Sequence, residues 1–578
     1  MMIRTMGRKR VVAAASMVAG LSLIVAGCSD SEGGDDEMSA DPTTSADSTA
    51  GAAAGEGVAT DRELVVWAGA QTPLNQTFNP FVPEVQHLAL GGVYESLFYY
   101  NKAGSGEPLP LLGESFEWNA DGTQLTITIR EGVTWNDGEA FTTDDVIYAF
   151  TNDIAAPDYI ASAEATDDTT VILSFDEPQY TNELSLLGLT WMIPEHVWAN
   201  LDEDPLSFPN IEPVGTGPYT IASISDANYT GVANPDYWGG EPNLTNVRYI
   251  GIDGNQSAED LLRTGQIDWV GMFVPEPQGM EDAGLGYINT PQDPTVLYTC
   301  SNADLGCEGD QTDVAVRQAL NLAIDRSAIK DKAFVGLTGT ASPTFALLGR
   351  DDQWISPDVS AESPQSPEIE EAQAILEEAG YTADADGFYG KDGEAIEMSL
   401  TSVDGWTDYN NAAQLIQEQA AEAGIKVTAS TVSWNEFADG RTNGDFELIM
   451  GGVIGTSVPD PFQIYKDWFG GDATTPAGTA LEPGDWNFSR YSNETVDEQI
   501  QVAASTIDEA TKIAAYATIQ EEITRDLPYI PIVINATQTF YNQTDYTGWP
   551  TEDNLYAFPP AWASGGAGVV LSNLGGTE

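Results

Sequence analysis

The sequence predicts a mixed α/β protein, and three observations carry that expectation. Short apolar strands recur along the chain, as at Glu63-Leu-Val-Val-Trp67. Segments with helical apolar spacing alternate with them in both halves, as at Val314, Val316, Ala319, Leu320, Ala323 and Ile324. Residues 62–578 form one long, aromatic-rich body, enough for two or three domains. No internal repeat is visible.

The N-terminus reads as an export signal. Arg4, Arg8, Lys9 and Arg10 precede an apolar run over 11–25 that is too short and wrongly flanked to span a bilayer. The run ends Leu23-Ile-Val-Ala-Gly-Cys28, which resembles a bacterial lipobox, whose cysteine is diacylated and becomes the new N-terminus. Residues 1–27 are therefore expected to be a signal peptide and Cys28 the lipidation site; ordinary cleavage nearby, with an incidental cysteine, is the alternative. No later apolar run reaches the ~20 residues a spanning helix needs, so lipid would be the only membrane attachment. Residues 28–61 hold mostly Ser, Asp, Gly, Ala, Thr and Glu and no aromatic residue. Such a chain cannot bury enough surface to offset its ordering entropy and should form a flexible acidic tether.

Within the body, 63–67 is expected to be a strand, followed by a Gly/Pro/Asn-rich loop to 83. Residues 125–130 alternate apolar and polar like a half-buried strand. Thr142-Thr-Asp-Asp145 should cap a helix over 146–152, and 171–175 is a further strand. Helices are expected over 313–330, over 369–379 stopped by Gly380, over 409–423 stopped by Gly424, and over 505–525. Residues 425–427 and 446–450 are expected strands and 527–534 an extended segment. Residues 340–368 and 470–485 are long loops, a feature of binding surfaces or disorder.

Composition excludes several functions. The chain carries 21 Lys and Arg against 90 Asp and Glu, a net −69; the signal holds four bases and no acids, leaving 17 against 90, or −73. Charged residues total 19%, below the usual ~25%, so the acidity reflects missing bases more than added acids. Nucleic acid and anionic lipid both need basic patches and are not expected partners. The acidity is read as a solvated, self-repelling surface, as in a saline habitat, with attraction of cationic ligands as the alternative. With Cys28 assigned to lipid, Cys300 and Cys307 remain and are expected to form a disulfide rather than a metal site. The two histidines, His87 and His196, cannot build a histidine-rich metal site, and no cofactor is expected.

From 117 to 150 a resemblance becomes specific. Glu117-Trp-Asn-Ala-Asp-Gly-Thr123, then Leu125-Thr-Ile-Thr-Ile-Arg-Glu-Gly-Val-Thr-Trp135 and Asn136-Asp-Gly-Glu-Ala-Phe-Thr-Thr-Asp-Asp145 through Phe150, resemble the signature of extracellular solute-binding proteins, family five. Val214-Gly-Thr-Gly-Pro-Tyr219, Asn234-Pro-Asp-Tyr-Trp238, Val316-Arg-Gln-Ala-Leu320 through Ile324-Asp-Arg326, and Leu527-Pro-Tyr-Ile-Pro531 follow in family order. The family serves peptide, nickel and oligosaccharide ABC importers. The resemblance implies a two-lobed, hinge-closing fold of the periplasmic-binding-protein type. Lobe one would span 62–296, with an inserted subdomain over about 95–213, and take back 536–578; lobe two would span 297–535. It implies a monomeric, non-catalytic, extracytoplasmic carrier that delivers a small ligand to ABC permease subunits.

Within the family, Phe78-Asn-Pro-Phe81, Asp404-Gly-Trp-Thr-Asp-Tyr-Asn-Asn411 and Tyr546-Thr-Gly-Trp549 resemble members that bind cello- or chito-oligosaccharides. Peptide binders commonly carry an Asp in the loop after the strand matching 446–450; here that place falls near Thr456 or Ser457, and Asp460 comes late. Sugar faces lie well on Trp rings and hydroxyls need Asn, Asp and Gln. The expected ligand residues are Trp406, Asp408, Asn410 and Asn411, with Trp354 and Trp549 as further platforms and Asn79, Phe81 and Asp460 as additional contacts. Trp118, Trp135, Trp198 and Trp238 are read as packing, and Trp67, Trp269 and Trp434 as weaker platform candidates. An oligopeptide receptor is the main rival. A secreted glycosidase is a remote one, lacking any Gly-x-Ser-x-Gly elbow, Walker loop or His-Glu-x-x-His.

Overall fold

The computed structural model describes residues 57–577 except 83, 105–107, 158, 482–484 and 536. Cys28, the signal segment and most of the tether lie outside the described residues. The tether's expected end at 61 is late: Val58 N–H donates to the Gly576 carbonyl at 3.1 Å and Thr60 N–H to that of Asn243 at 2.8 Å, so backbone pairing orders the chain from 58 onward.

A seven-stranded sheet has Leu64–Trp67 at its centre, paired in parallel with Asn246–Ile250 on one side and Trp269–Gly271 on the other. All four residues of that strand are buried, as in a strand covered on both faces. The helix Asn255–Arg263 carries the chain from one parallel neighbour to the other, a crossover that sets the helix's N-terminus at the strands' carboxyl ends. A five-stranded sheet repeats the device. Glu397–Val403 and Lys426–Val432 pair in parallel over seven residues, joined by the helix Thr407–Glu422.

The chain passes between these sheets twice, from Asn289 to Asp293 and from Asn535 to Gln538. The passes lie side by side: Thr290 and Thr537 exchange backbone hydrogen bonds of 3.1 and 3.2 Å. The second sheet thus begins at Asp293, a few residues before 297. The return strand Gln538–Tyr541 enters the first sheet between Gly286–Asn289 and Trp269–Gly271.

A separate antiparallel sheet, Gly113–Trp118, Gln124–Ile129, Thr170–Phe175 and Ile160–Ala165, lies inside the first lobe's chain. Its strands bury alternate residues over a core that includes Trp135, Val146 and Phe150. The helix Thr143–Thr151 begins in the expected capping box. Thr142 N–H donates to Asp145 at 2.9 Å, and the same carboxylate receives the Trp135 indole N–H at 3.3 Å.

Two expected helices are broken by acids that cap. The stretch 313–330 divides into Val314–Ala323 and Arg326–Lys332, because Ile324 is extended and Asp325 accepts from Ala328 N–H at 2.8 Å. The helix expected from 505 begins instead at Glu509, where Asp508 accepts from Thr511 N–H at 2.9 Å, and a separate helix spans Glu494–Ala504. The 425–427 strand lengthens to Lys426–Val432 because all seven residues find parallel partners, and the 446–450 strand shifts to Leu448–Gly452. Cys300 and Cys307 are disulfide-bonded.

The motifs at 214–219 and 234–238 meet on one buried carboxylate, Glu95. Glu95 accepts from Thr216 Oγ1 (2.9 Å), Tyr237 Oη (3.0 Å) and Trp238 Nε1 (2.9 Å), and the Arg130 guanidinium lies over the Trp238 ring at 4.2 Å. Burial outweighs these donors and pushes the Glu95 carboxyl up to about 7. A carboxyl raised on folding stabilises fully below the unfolded value near 4.5, and that contribution is lost as pH rises through about 7. Glu95→Gln preserves the geometry, its oxygen accepting from Thr216 and Trp238 while its amide donates to the turned Tyr237 hydroxyl. The melting temperature of wild type relative to Glu95→Gln should therefore fall between pH 4.5 and 7 and level off above, a swing on the order of 3 kcal/mol. A difference independent of pH would refute this.

Candidate functional site

Both βαβ units present the carboxyl ends of their parallel strands to a common cleft, the usual place for a ligand in α/β sheets. The enclosed part of the cleft is small, about 50 Å3, and it opens to solvent. Trp67, Gly69 and Gln71 enter it after the central strand, Gly254 and Asn255 at the N-terminus of the Asn255–Arg263 helix, and Gly271 to Phe273 after the neighbouring strand. Trp562 comes from the C-terminal return. The second sheet contributes Asp404, Gly405, Trp406 and Asp408 from the turn between Glu397–Val403 and Thr407–Glu422.

That turn is held rigidly. Gly405 has φ +87° with open space around the position of a Cβ, so the turn's backbone, not crowding, calls for glycine. The Val403 carbonyl accepts Trp406 N–H at 3.2 Å and Asn410 Nδ2 at 3.1 Å. The half-buried Trp406 ring packs against Tyr409 (5.5 Å), Trp434 (5.8 Å) and Phe437 (5.5 Å) between ring centroids, and also lines the cleft. Tyr409 in turn bonds Thr295 at 3.0 Å and Asn535 at 3.4 Å, anchoring the turn to strands beside the inter-sheet passes.

Trp562 faces the cleft from the first lobe. It is 3% exposed, and its Nε1 finds no hydrogen-bond partner among the described residues. Gly271 makes room for it, since a Cβ there would stand 2.9 Å from that nitrogen. Trp67 is likewise buried and donates Nε1 to the Ala70 carbonyl at 2.9 Å. Asp404 is exposed and Asp408, in the first turn of its helix, is buried. None of the described lining residues is Lys, Arg or His.

The structure brings together Trp406 and Asp408 of the expected ligand residues and places the others elsewhere. Asn410 is committed to the Val403 carbonyl, and Asn411 is exposed outside the cleft lining. Trp549 is core: it stacks on Tyr541 at 4.8 Å, meets Trp269 at 5.6 Å and donates to the Asn542 carbonyl at 3.2 Å. Trp354 is buried against Tyr516 and donates to the Pro459 carbonyl at 2.7 Å. Asp460 is bound to Lys512 at 2.5 Å and Tyr516 at 2.6 Å. Asn79 is fully buried, donating to the Pro205 and Phe208 carbonyls at 2.7 and 2.8 Å, and Phe81 packs on Trp198 at 5.0 Å. Trp562 was missed, its only local sign being Pro559-Pro-Ala-Trp562 in the returning tail. Trp67, a weaker candidate in the sequence because it lies in an apolar strand, also lines the cleft.

Among the described residues no group of three or more His, Cys, Asp or Glu is placed to hold a metal ion, and no helix is long and apolar enough to cross a membrane. His196 bonds Asp137 at 2.8 Å.

Residues 107–476 match the middle region of the bacterial extracellular solute-binding proteins, family 5. Protein XP55 of Streptomyces lividans is 30% identical over 425 residues, 71% of this chain and 72% of that protein. The oligopeptide-binding protein AppA of Bacillus subtilis is 25% identical over 438 residues, 72% of this chain and 76% of its own. A periplasmic oligopeptide-binding protein of an ABC transporter from Thermotoga maritima, solved with mannohexaose bound, superimposes with a TM-score of 0.79 at 25% identity, covering 90% of this chain and 99% of that one.

The packing separates the tryptophans by experiment. Trp549→Ala should cost about 3–5 kcal/mol of stability, as removal of a buried Trp does, and Trp406→Ala distinctly less because one side of its ring already faces the cleft. Denaturant unfolding of the two unliganded variants gives the comparison, and equal losses would contradict the assignment.

Proposed function

The chain belongs to the bacterial extracellular solute-binding proteins, family 5, and is the substrate-binding protein of an ABC importer; from the chemistry of its cleft we propose that its substrate is an oligosaccharide, β-linked and of cello or chito type. The observation that carries this reading is the meeting of Trp67 and Trp562 from one lobe with Trp406 from the other, beside the oxygen-bearing side chains Gln71, Asn255, Asp404 and Asp408. Flat C–H faces need indoles, and equatorial hydroxyls need carboxylates and amides. Covering one face, about 80 Å2, contributes ~2 kcal/mol at ~25 cal/mol/Å2. Of the three indoles only the half-buried Trp406 has a face to cover, since Trp67 and Trp562 are 4% and 3% exposed, so most of the ~8 kcal/mol of a micromolar complex falls to the hydroxyl network. A ligand touching both lobes at once binds best when they close, so capture shifts the population toward closure.

The relatives support either of two ligand classes: the Thermotoga maritima protein was solved with mannohexaose, and AppA is named for oligopeptides. Peptide capture is the second reading. Against it, the loop after Leu448–Gly452 offers no free carboxylate. Thr456 is buried there, and Asp460 is occupied by Lys512 and Tyr516.

The wider proposal follows the family. The chain acts without catalysis as an extracytoplasmic monomer, anchored at Cys28 through the acidic tether that follows it, and hands its ligand to permease subunits. Its lobes are taken as 62–296 with 536–578, and 297–535, with the insertion over about 95–213.

Two experiments test these readings. Calorimetry with cello-, chito- and manno-oligosaccharides beside a peptide pool should find a sugar ligand, and Trp406→Ala should weaken it about thirtyfold, the equivalent of ~2 kcal/mol. A wild type that takes peptides alone would overturn the oligosaccharide reading. Cys28→Ser should release the protein to the medium or leave it unprocessed; a mature, membrane-bound mutant would refute the anchor.

A further inference from the structure

We propose that Trp434 forms a second sugar platform beside Trp406, so that a bound saccharide runs out of the cleft across the edge of the second sheet. The inference rests on the oligosaccharide reading above and adds the course of the chain. The enclosed part of the cleft, about 50 Å3, falls far below the ~300 Å3 at which small-molecule pockets begin, and it opens to solvent. A chain of several sugar rings held by Trp406 therefore continues along the opening. The sheet topology sets the direction in which indoles continue. Glu397–Val403 and Lys426–Val432 are parallel neighbours, so their carboxyl ends lie side by side, and Lys426–Val432 is the edge strand. Trp406 follows the first of these ends and Trp434 the second. The two turns are joined, since Asp404 N–H donates to the Val432 carbonyl at 2.9 Å. The two rings meet at 5.8 Å between centroids, tilted by 45°.

Two further observations mark Trp434 as a platform rather than packing. First, its ring is half-buried and stacked on Phe437 at 5.7 Å with 25° between the planes, so the lobe backs one face. Ser433 caps the helix Trp434–Asn443, accepting from Glu436 N–H at 3.3 Å, and so holds the backbone beneath the indole before a ligand arrives. Second, the indole N–H is free. Trp118 and Trp238, also half-buried, give theirs to Glu183 and Glu95 at 2.9 Å each. Trp406 and Trp434 give theirs to no described residue and keep them open to solvent. A half-exposed ring with an open donor suits a pyranose, whose C–H face covers the ring while a hydroxyl oxygen accepts. Trp486 shares the free N–H, but its ring packs on Trp468 and Phe488 and meets neither indole.

The test is calorimetry with one homologous series of the sugar that the wild type binds, from two to about six units. Wild-type affinity should rise along the series. Trp434→Ala should lose more than about tenfold on the longest chain and less than about threefold on the shortest, because only a longer chain reaches the second ring. Trp434→Phe keeps a flat ring and should recover part of that loss, whereas Trp406→Ala should weaken every length. A loss at Trp434→Ala that is equal at all lengths, or absent at all of them, overturns the proposal. Should Trp434→Ala fail to fold, the wild type labelled with 5-fluorotryptophan answers instead, its Trp434 resonance assigned through Trp434→Phe. That resonance should shift with the longest chain more than with the shortest, and a shift that is equal or absent overturns the proposal. Sugar binding without these length effects removes this inference alone. A wild type that binds no sugar removes the oligosaccharide reading, and this inference with it.

Discussion

The paired strands that cross between the two sheets are the constraint on which the architecture turns. The chain enters the second sheet after Asn289 and leaves it after Asn535, and Thr290 and Thr537 tie the two passes together. Because entry and exit are adjacent, the tail must return to the first sheet, and Gln538–Tyr541 completes it between strands laid down some 250 residues earlier. The return is secured by polar groups with no room to move. Gln538 is fully buried and bonds Val274 in both directions, N–H to Oε1 at 2.6 Å and Nε2 to carbonyl at 3.1 Å. Asp268 accepts from Val65 N–H at 2.9 Å and from Asn542 Nδ2 at 2.9 Å. An unsatisfied buried amide or carboxylate would be costly, so the tail is fixed in register. Two short crossings between two rigid sheets are the geometry in which a few residues absorb a domain rotation.

The cleft inherits its composition from that arrangement. Each sheet offers the loops at the carboxyl ends of its parallel strands, and each lobe delivers an indole already buttressed by its own packing. Trp406 leans on Tyr409, Trp434 and Phe437, and Trp562 on Phe558 at 5.6 Å. Because the platforms are ordered before the ligand arrives, little side-chain entropy remains to be lost on binding, and the free energy of ring burial goes into closure. The buried Glu95 serves the same lobe differently: three donors from two distant motifs converge on it, away from the cleft.

Much of the fold was legible because its signals are local. The 63–67 strand, the alternation in 125–130 and the Thr142–Asp145 capping box are read from neighbours within four residues. The helix breaks at Asp325 and Asp508 were missed because an aspartate inside an apolar period is a cap only if the backbone before it turns extended, which periodicity does not register. The candidate site was half legible. Trp406 and Asp408 lie in one turn with a glycine and a following helix, so sequence alone joins them. Trp354, Trp549, Asn79, Phe81 and Asp460 sit in equally Gly-, Pro- and Asp-rich surroundings, but loop composition does not say which way a side chain faces. Trp549 turned onto Tyr541, and Asp460 found Lys512 more than fifty residues on. Trp562 depends on Gly271, nearly three hundred residues before it, and no local pattern could link them.

The same comparison explains why charge in the cleft is informative where charge in the composition was not. An excess of 90 acids over 21 bases is first of all a property of the surface, where each carboxylate is hydrated and screened within about 10 Å at ordinary ionic strength. At the cleft Asp404 stays exposed, while Asp408 is buried where screening is weaker. The turn that carries them is pinned through the Val403 carbonyl, which accepts from Trp406 N–H and from the Asn410 side chain. Closure requires every group it desolvates to be matched, so a mismatched charge leaves the open form favoured. The 403–410 turn gathers Trp406 and Asp408 at one place, so position rather than composition sets them apart from the residues of the solvated surface.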